Sequence, residues 1–256
     1  MKTIISWIIR HVPRTYLQRV SHFILPVLGL FYKGNQVVCP ICQGHFRKFL
    51  PFGRGKSARD NALCPNCLAL ERHRLMYLYL KQRTNFFQDK LKVLHIAPEI
   101  CFLKHFEKLP NLQEYITADL ESPLAKVKMD IHQMPFADNY FDVVFCNHVL
   151  EHVENDKQAL SEIYRVMKPT AWAIIQSPID MSLPTTYEDH NITSPAEREK
   201  AFGQNDHVRI YGRDYSKHLA QIGFQVKEDD FVKQLPKEVI EKHALPANEI
   251  IFLCKK

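Results

Sequence analysis

An α/β fold built on a doubly wound parallel sheet, with a small cysteine-bound module ahead of it, is the class this sequence predicts. Three observations predict it. Between Lys92 and Leu253, short runs rich in Val, Ile and Phe alternate with stretches whose apolar residues recur every three or four positions. The run Phe141 to Cys146 is interrupted only by Asp142, as suits a strand covered on both faces. Ahead of the alternation stand two Cys-x-x-Cys pairs, C-P-I-C and C-P-N-C, with 21 residues between Cys42 and Cys64.

The chain has 256 residues, 46% of them apolar, enough for one full domain and a small module. Three segments follow: 1–34, basic and amphipathic; 35–68, the cysteine module; 69–256, the α/β domain. Charge divides along the same line. Residues 1–90 hold 15 Lys and Arg against 3 Asp and Glu, and residues 91–256 hold 19 against 25. Such a basic front favours a polyanionic partner, RNA or an anionic membrane surface, or else keeps a small module soluble. Seven cysteines, an odd number with three in apolar segments, argue against a secreted disulfide framework. The apolar run at the N-terminus is broken by Arg10, and Phe23 to Tyr32 is ten residues interrupted by Pro26. Neither reads as a signal peptide or a span of about 20 residues, so a cytoplasmic protein is expected.

In order along the chain, residues 1–33 read as one or two helices with an apolar face (Ile4, Ile5, Ile8, Leu17, Phe23, Leu28) and only basic charges. That face packs internally, against another copy, or on a membrane surface. Cys39, Cys42, Cys64 and Cys67 have the spacing of a closed four-thiolate zinc site, structural because no position is left for water. Between them Phe46, Phe49 and Phe52 interleave with Arg47, Lys48, Arg54, Lys56 and Arg59. The aromatics form the module's own small core or stack on bases. A helix over 68–83 follows, then strand 92–96, helix 99–108, strand 115–118, strand 141–146, and a helix capped by Asn155 or Asp156 and stopped by Pro169. Strand 172–175, a long polar loop over 180–207, helix 214–222 and strands at 224–226 and 249–253 complete the sheet.

Ligands of open α/β sheets sit at the carboxyl ends of the strands. Here those ends are His95 to Glu99, Asp119, Asn147-His148 and Gln176-Ser177. A carboxylate closing the second strand, Asp119, is placed to accept hydrogen bonds from a ribose diol. His148 and His207 are the candidate general bases; the alternative for each is a loop histidine satisfied by a carboxylate neighbour. Tyr187 to His190 and Gly203 to Arg213, with Asp206, Arg209 and Tyr211, form the candidate substrate side.

The segments V-L-H-I-A-P-E, Y-I-T-A-D-L, M-D-I-H-Q-M-P-F-A-D-N-Y-F-D-V-V-F-C-N-H-V-L-E-H-V and A-L-S-E-I-Y-R-V-M-K-P closely resemble the class I S-adenosylmethionine-dependent methyltransferases over about residues 91–228. The resemblance implies a Rossmann-like sheet and methyl transfer. It further implies Asp119 on the ribose hydroxyls, Asp130 and the Ile131 amide on adenine, and His95, Ala97, Glu99 and Asn147 about the methionine half. It departs from the family where His95, Ala97 and Pro98 replace an acidic, glycine-rich turn, which implies another path for that backbone. A zinc module ahead of such a domain is similar to the ribosomal RNA guanine methyltransferases. RNA, a small molecule and a glycan are the acceptors it leaves open; a non-catalytic binding protein is the alternative.

Overall fold

The computed structural model describes residues 29–53 and 58–256. Residues 1–28, which hold most of the expected amphipathic segment, and residues 54–57, with Arg54 and Lys56, lie outside the described residues. In chain order the elements are β1 (Lys33–Val38), β2 (His45–Phe46), β3 (Leu50–Phe52), β4 (Arg59–Leu63), α1 (Glu71–Arg83), β5 (Leu91–Ile96), α2 (Ile100–Phe106), β6 (Leu112–Asp119) and β7 (Val127–Lys128). Then come β8 (Phe141–Asn147), α3 (Asp156–Val166), β9 (Met167–Gln176), β10 (Tyr187–Glu188), α4 (Pro195–Phe202), β11 (Arg209–Ile210), α5 (Tyr215–Ile222), β12 (Gln225–Asp229), α6 (Lys237–His243) and β13 (Ile251–Lys255). They fall into two compact units. One is drawn from Met1–Phe87, Glu99–His105 and Phe231–Glu249, the other from Gln88–Pro98, Phe106–Asp230 and Ile250–Lys256.

The first unit is organised by the cysteine pairs and by Arg74. Strands β1 and β2 pair antiparallel, as do β3 and β4. Each cysteine pair folds into a turn in which a left-handed residue follows the second cysteine, Gln43 at φ 56° and Leu68 at φ 64°. The turns close through Gln43 N to Cys39 O (2.9 Å) and Leu68 N to Cys64 O (3.0 Å). Neither left-handed residue is glycine, so closure of the turns offsets a cost of roughly 1 kcal/mol each. Arg74, fully buried on α1, lies 4.1 Å above the Phe49 ring and donates to the carbonyls of Ala62, Ala69, His243 and Ala244. One guanidinium thus ties β4, the second knuckle and the end of α6 together. Phe46 and Phe49 are buried beside each other, so their rings are core and offer no stacking surface. Phe52 alone of the three is exposed, at 42%, with Arg59 over its ring.

The second unit is a seven-stranded sheet in the order β12-β13-β9-β8-β5-β6-β7. Four pairings, β5 with β6 and β8, β6 with β7, and β8 with β9, are parallel. The expected all-parallel sheet is corrected at one edge, where β13 runs antiparallel to both β9 and β12. Both faces are covered, which explains the unbroken apolar runs. Leu94, Ile96, Val144, Cys146, Ala173 and Ile175 meet Ala159, Leu160 and Ile163 of α3 and Leu219 of α5. The opposite side chains of the same strands, His95, Phe145 and Trp172, pack with Phe106 and Tyr115 in an aromatic layer. Asp142, the one polar residue of its run, accepts from Lys92 N (2.8 Å) and Lys168 Nζ (2.6 Å), fastening β8 to its neighbours at the amino edge.

Asn155 caps α3 by accepting from Gln158 N, as the sequence predicts. The helix ends at Val166, and β9 begins at once with Met167, so Pro169 lies inside a strand and not beyond a helix. Its missing donor is tolerated because the β8–β9 register shifts between Phe141 and Val143, an irregularity of the kind prolines occupy. The loop expected over 180–207 contains β10 and α4. Ser194 caps α4, Pro195 opens it and left-handed Gly203 closes it.

Close packing of the segment beyond β9 centres on Gly212. A Cβ there would lie 2.6 Å from Thr185 C, 2.7 Å from Thr185 O and 2.9 Å from Leu183 O, all backbone atoms that cannot turn aside. Gly212→Ala is expected to cost about 1–3 kcal/mol in chemical denaturation, as overpacking does. An unchanged midpoint would show that this backbone yields freely.

Candidate functional site at the carboxyl edge of the sheet

Register places the predicted residues in one row. Ile96 pairs with Ala118 on one side and with Cys146 on the other, and Asn147 pairs with Gln176. Asp119, Ala97, Asn147 and Gln176 therefore follow one another along the carboxyl edge. The turn after β5 has a left-handed residue that is not a glycine: Ala97 has φ 50°, and its amide donates to Ala118 O (2.9 Å). Alanine tolerates the conformation at a cost of roughly 1–2 kcal/mol.

Asp119 Oδ1 accepts from the amides of Glu121 (2.8 Å) and Ser122 (2.7 Å), which fixes the carboxylate, while Oδ2 has no partner among the described residues. Asp130 follows β7, whose Lys128 pairs with Asp119, so the two carboxylates stand at neighbouring strand ends. Asp130 Oδ1 accepts from His132 N (2.9 Å) and His132 Nδ1 (2.7 Å), and these bonds hold its carboxyl below the usual range. Its side chain remains 56% exposed. Ile131 is buried in the core of the sheet unit, which holds the 130–131 peptide against the sheet. Arg165 of α3 braces the loop beyond by donating to Met134 O and Phe136 O.

Two predicted side chains are engaged elsewhere. His95 is fully buried, with Nδ1 2.7 Å from the Tyr115 hydroxyl, inside the aromatic layer, so its ring does not line the row. Glu99 belongs to the first unit, where its carboxylate is 3.9 Å from His73 Nε2. On the expected substrate side, Arg209 and Tyr211 are each 1% exposed and serve the fold. Tyr211 donates to Asp156 (2.7 Å). Arg209 pairs with Glu188 and donates to the carbonyls of Leu150, Val153 and Glu154, clamping the turn after β8. Arg209→Met leaves those carbonyls without their donor and removes the buried partner of Glu188. It is expected to cost about 3–5 kcal/mol in thermal or denaturant melts, and a wild-type melt would refute the clamp.

The clamped turn carries what the sequence reading missed. His148, left-handed at φ 55°, has Nδ1 3.4 Å from Glu151 Oε1, and Ser177 Oγ donates to Glu151 Oε2 (3.1 Å). His148 Nε2 is buried and has no partner among the described residues. Burial pushes the Glu151 carboxyl up, but the His148 bond and charge outweigh it and leave it below its ordinary value. The His207 ring stands perpendicular to that of His152 at 4.7 Å. Burial, and then the charge of His152, hold its pKa below the ordinary value. Ligand atoms of Glu151, His152 and His207 all lie within 4.8 Å of one another. Glu151 and His152 sit in the L-E-H-V block; their meeting with His207 depends on a strand 55 residues later and has no local signal.

In the first unit the four cysteines also converge. Cys39 and Cys67 sulfurs are 3.6 Å apart and those of Cys42 and Cys64 3.7 Å. Tetrahedral zinc with bonds of about 2.3 Å sets sulfurs roughly 3.7–3.8 Å apart. Contacts among the thiols hold Cys42 and Cys64 toward thiolate and Cys39 and Cys67 toward thiol.

A methyltransferase-domain family matches residues 103–175. A demethylmenaquinone methyltransferase of Corynebacterium glutamicum is 29% identical over 102 residues, 39% of this chain and 44% of that one. A ubiquinone/menaquinone biosynthesis C-methyltransferase of Desulfotalea psychrophila is 42% identical over 40 residues, 16% of each. The chain thus spans less than half the length of these relatives. A solved SAM-dependent methyltransferase of Archaeoglobus fulgidus, 19% identical, covers 71% of this chain and 93% of its own with a TM-score of 0.47. Among the described residues no helix is long and apolar enough to cross a membrane. Residues 103–175 match that methyltransferase-domain family, and Asp119, Asp130 and Asn147 at the strand ends fall within the matched stretch.

Proposed function

We propose that the protein transfers a methyl group from S-adenosylmethionine to a small-molecule acceptor at the carboxyl edge of the seven-stranded sheet. The observation that carries this reading is the pairing of the domain match with Asp119, whose fixed carboxylate keeps Oδ2 open at the end of the second strand of the domain. Asp119 would hold the ribose hydroxyls. Asp130 and the Ile131 amide would hold the adenine ring, and the Ala97 turn with Asn147 would border the methionine half. S-adenosylmethionine supplies, when bound, an electrophilic methyl on a sulfonium. The chain supplies orientation, worth several kcal/mol in a transfer between two held groups. His148, whose Nδ1 lies 3.4 Å from Glu151 Oε1, would take the proton of a hydroxyl or acidic carbon on the acceptor. The relatives named for quinone methylation favour a small acceptor. Burial of Phe46 and Phe49 leaves RNA stacking with little support.

In the same reading Cys39, Cys42, Cys64 and Cys67 hold one structural zinc ion, supported by sulfur spacings that suit its tetrahedral shell. Calorimetry with S-adenosylmethionine tests the enzyme. Saturable 1:1 binding is expected, and no heat at millimolar cofactor would overturn the reading.

A further inference from the structure

Glu151, His152 and His207 share more than proximity. His152 and Glu151 have polar partners of the kind that metal ligands carry. His152 Nδ1 lies 3.4 Å from Asp206 Oδ2 and 3.3 Å from Asp206 O. Glu151 accepts from Ser177. An imidazole whose one N–H is held by a carboxylate or carbonyl keeps its lone pair on the other nitrogen, aimed where it can bind an ion. The backbone is fixed as well: Val208 N donates to Glu151 O (2.9 Å), and Arg209 grips Leu150, Val153 and Glu154. The two strands of chain that bring the donors together are thus stapled on both sides of them.

We propose that Glu151, His152 and His207 form a binding site for a divalent first-row transition-metal ion, separate from the four-cysteine cluster. Two imidazoles and one carboxylate suit zinc, cobalt, nickel or ferrous iron, and suit magnesium and calcium poorly, since those prefer oxygen alone. Bonds of roughly 2.0–2.2 Å around a tetrahedral ion set donors about 3.3–3.6 Å apart. The donors, within 4.8 Å of one another, therefore need to close by at most about 1.5 Å, a shift within reach of side-chain rotation. Glu151 and His207 are buried and His152 exposed, so the remaining coordination positions face outward past His152. Water or an oxygen-bearing ligand would complete the shell there. His207 is then a ligand and His148 remains the proton acceptor. The site stands on its own geometry and does not depend on the methyl-transfer reading.

Cobalt(II) titrated into full-length, zinc-loaded protein tests it by visible absorption. The expected result is one further equivalent, showing weak d–d bands without the intense charge-transfer absorption of cobalt thiolates. His207→Gln and His152→Asn should each weaken that equivalent more than 100-fold. Asp206→Asn should weaken it by 10–100-fold, the usual effect of losing an outer-shell partner. His152 is exposed, so H152N keeps the test decisive if H207Q fails to fold. No further equivalent in the wild type, binding only at millimolar cobalt, or full binding in H152N would overturn the proposal.

Discussion

Asp119→Ala is expected to weaken S-adenosylmethionine binding by roughly 30- to 1,000-fold, from about 2–4 kcal/mol lost with charge-assisted hydrogen bonds. The size follows from how the carboxylate is held. Oδ1 is fixed by the Glu121 and Ser122 amides, so little ordering remains to be done when Oδ2 takes a ligand. Alanine also releases those two amides, and part of the loss would come from a loosened turn. Asp119→Asn separates the two effects: its side-chain oxygen can still hold the turn, but the negative charge is gone. Calorimetry should rank the wild type above Asn and Asn above Ala. Equal affinities for wild type and Ala would remove Asp119 from the site, and the proposed adenosine end with it.

Cys39→Ser is expected to be the most damaging single change to the first unit. Zinc held by four thiolates contributes about 10–16 kcal/mol in isolated zinc-finger peptides near neutral pH. This module has few alternatives: Ile41, Phe46 and Phe49 make up much of its small core, beside knuckles that the ion would clamp. Metal analysis should find one chelator-resistant zinc in the wild type and none in the variant. The variant should also lose the near-ultraviolet circular dichroism of the buried aromatics. A C39S protein that keeps its zinc and its melting temperature would show that the cluster is not a metal site.

How much was legible in advance depended on how local the cause was. The buried strands were readable because both faces of the sheet are covered, so β8 is apolar at nearly every position. Asn155 was readable because capping is decided within four residues. Helix α4 was equally local, with Ser194, Pro195, Glu197 and Gly203 in the places a helix start and stop prefer, and polarity masked it. The direction of β13 could not be read, since nothing within Ile251–Lys255 distinguishes a parallel from an antiparallel partner. His95 looked like a strand-end ligand, yet strand alternation turned its ring into the aromatic layer. The Glu151, His152 and His207 cluster was least legible, because its parts meet through Arg209 and the β10–β11 pairing, far apart in the chain.

The position of β13 has a consequence for assembly. This strand sits between β12 and β9, so among the described residues β12 has no other partner in the sheet and β9 has an open side until β13 arrives. Between β12 and β13 the chain contributes Phe231–Glu249 to the other unit. During synthesis, two rows of unpaired amides and carbonyls would therefore stay available to neighbouring chains until β13 inserts, the condition under which edge strands recruit one another. Charged residues moderate the hazard: Lys227, Glu228 and Asp229 occupy three of the five positions of β12.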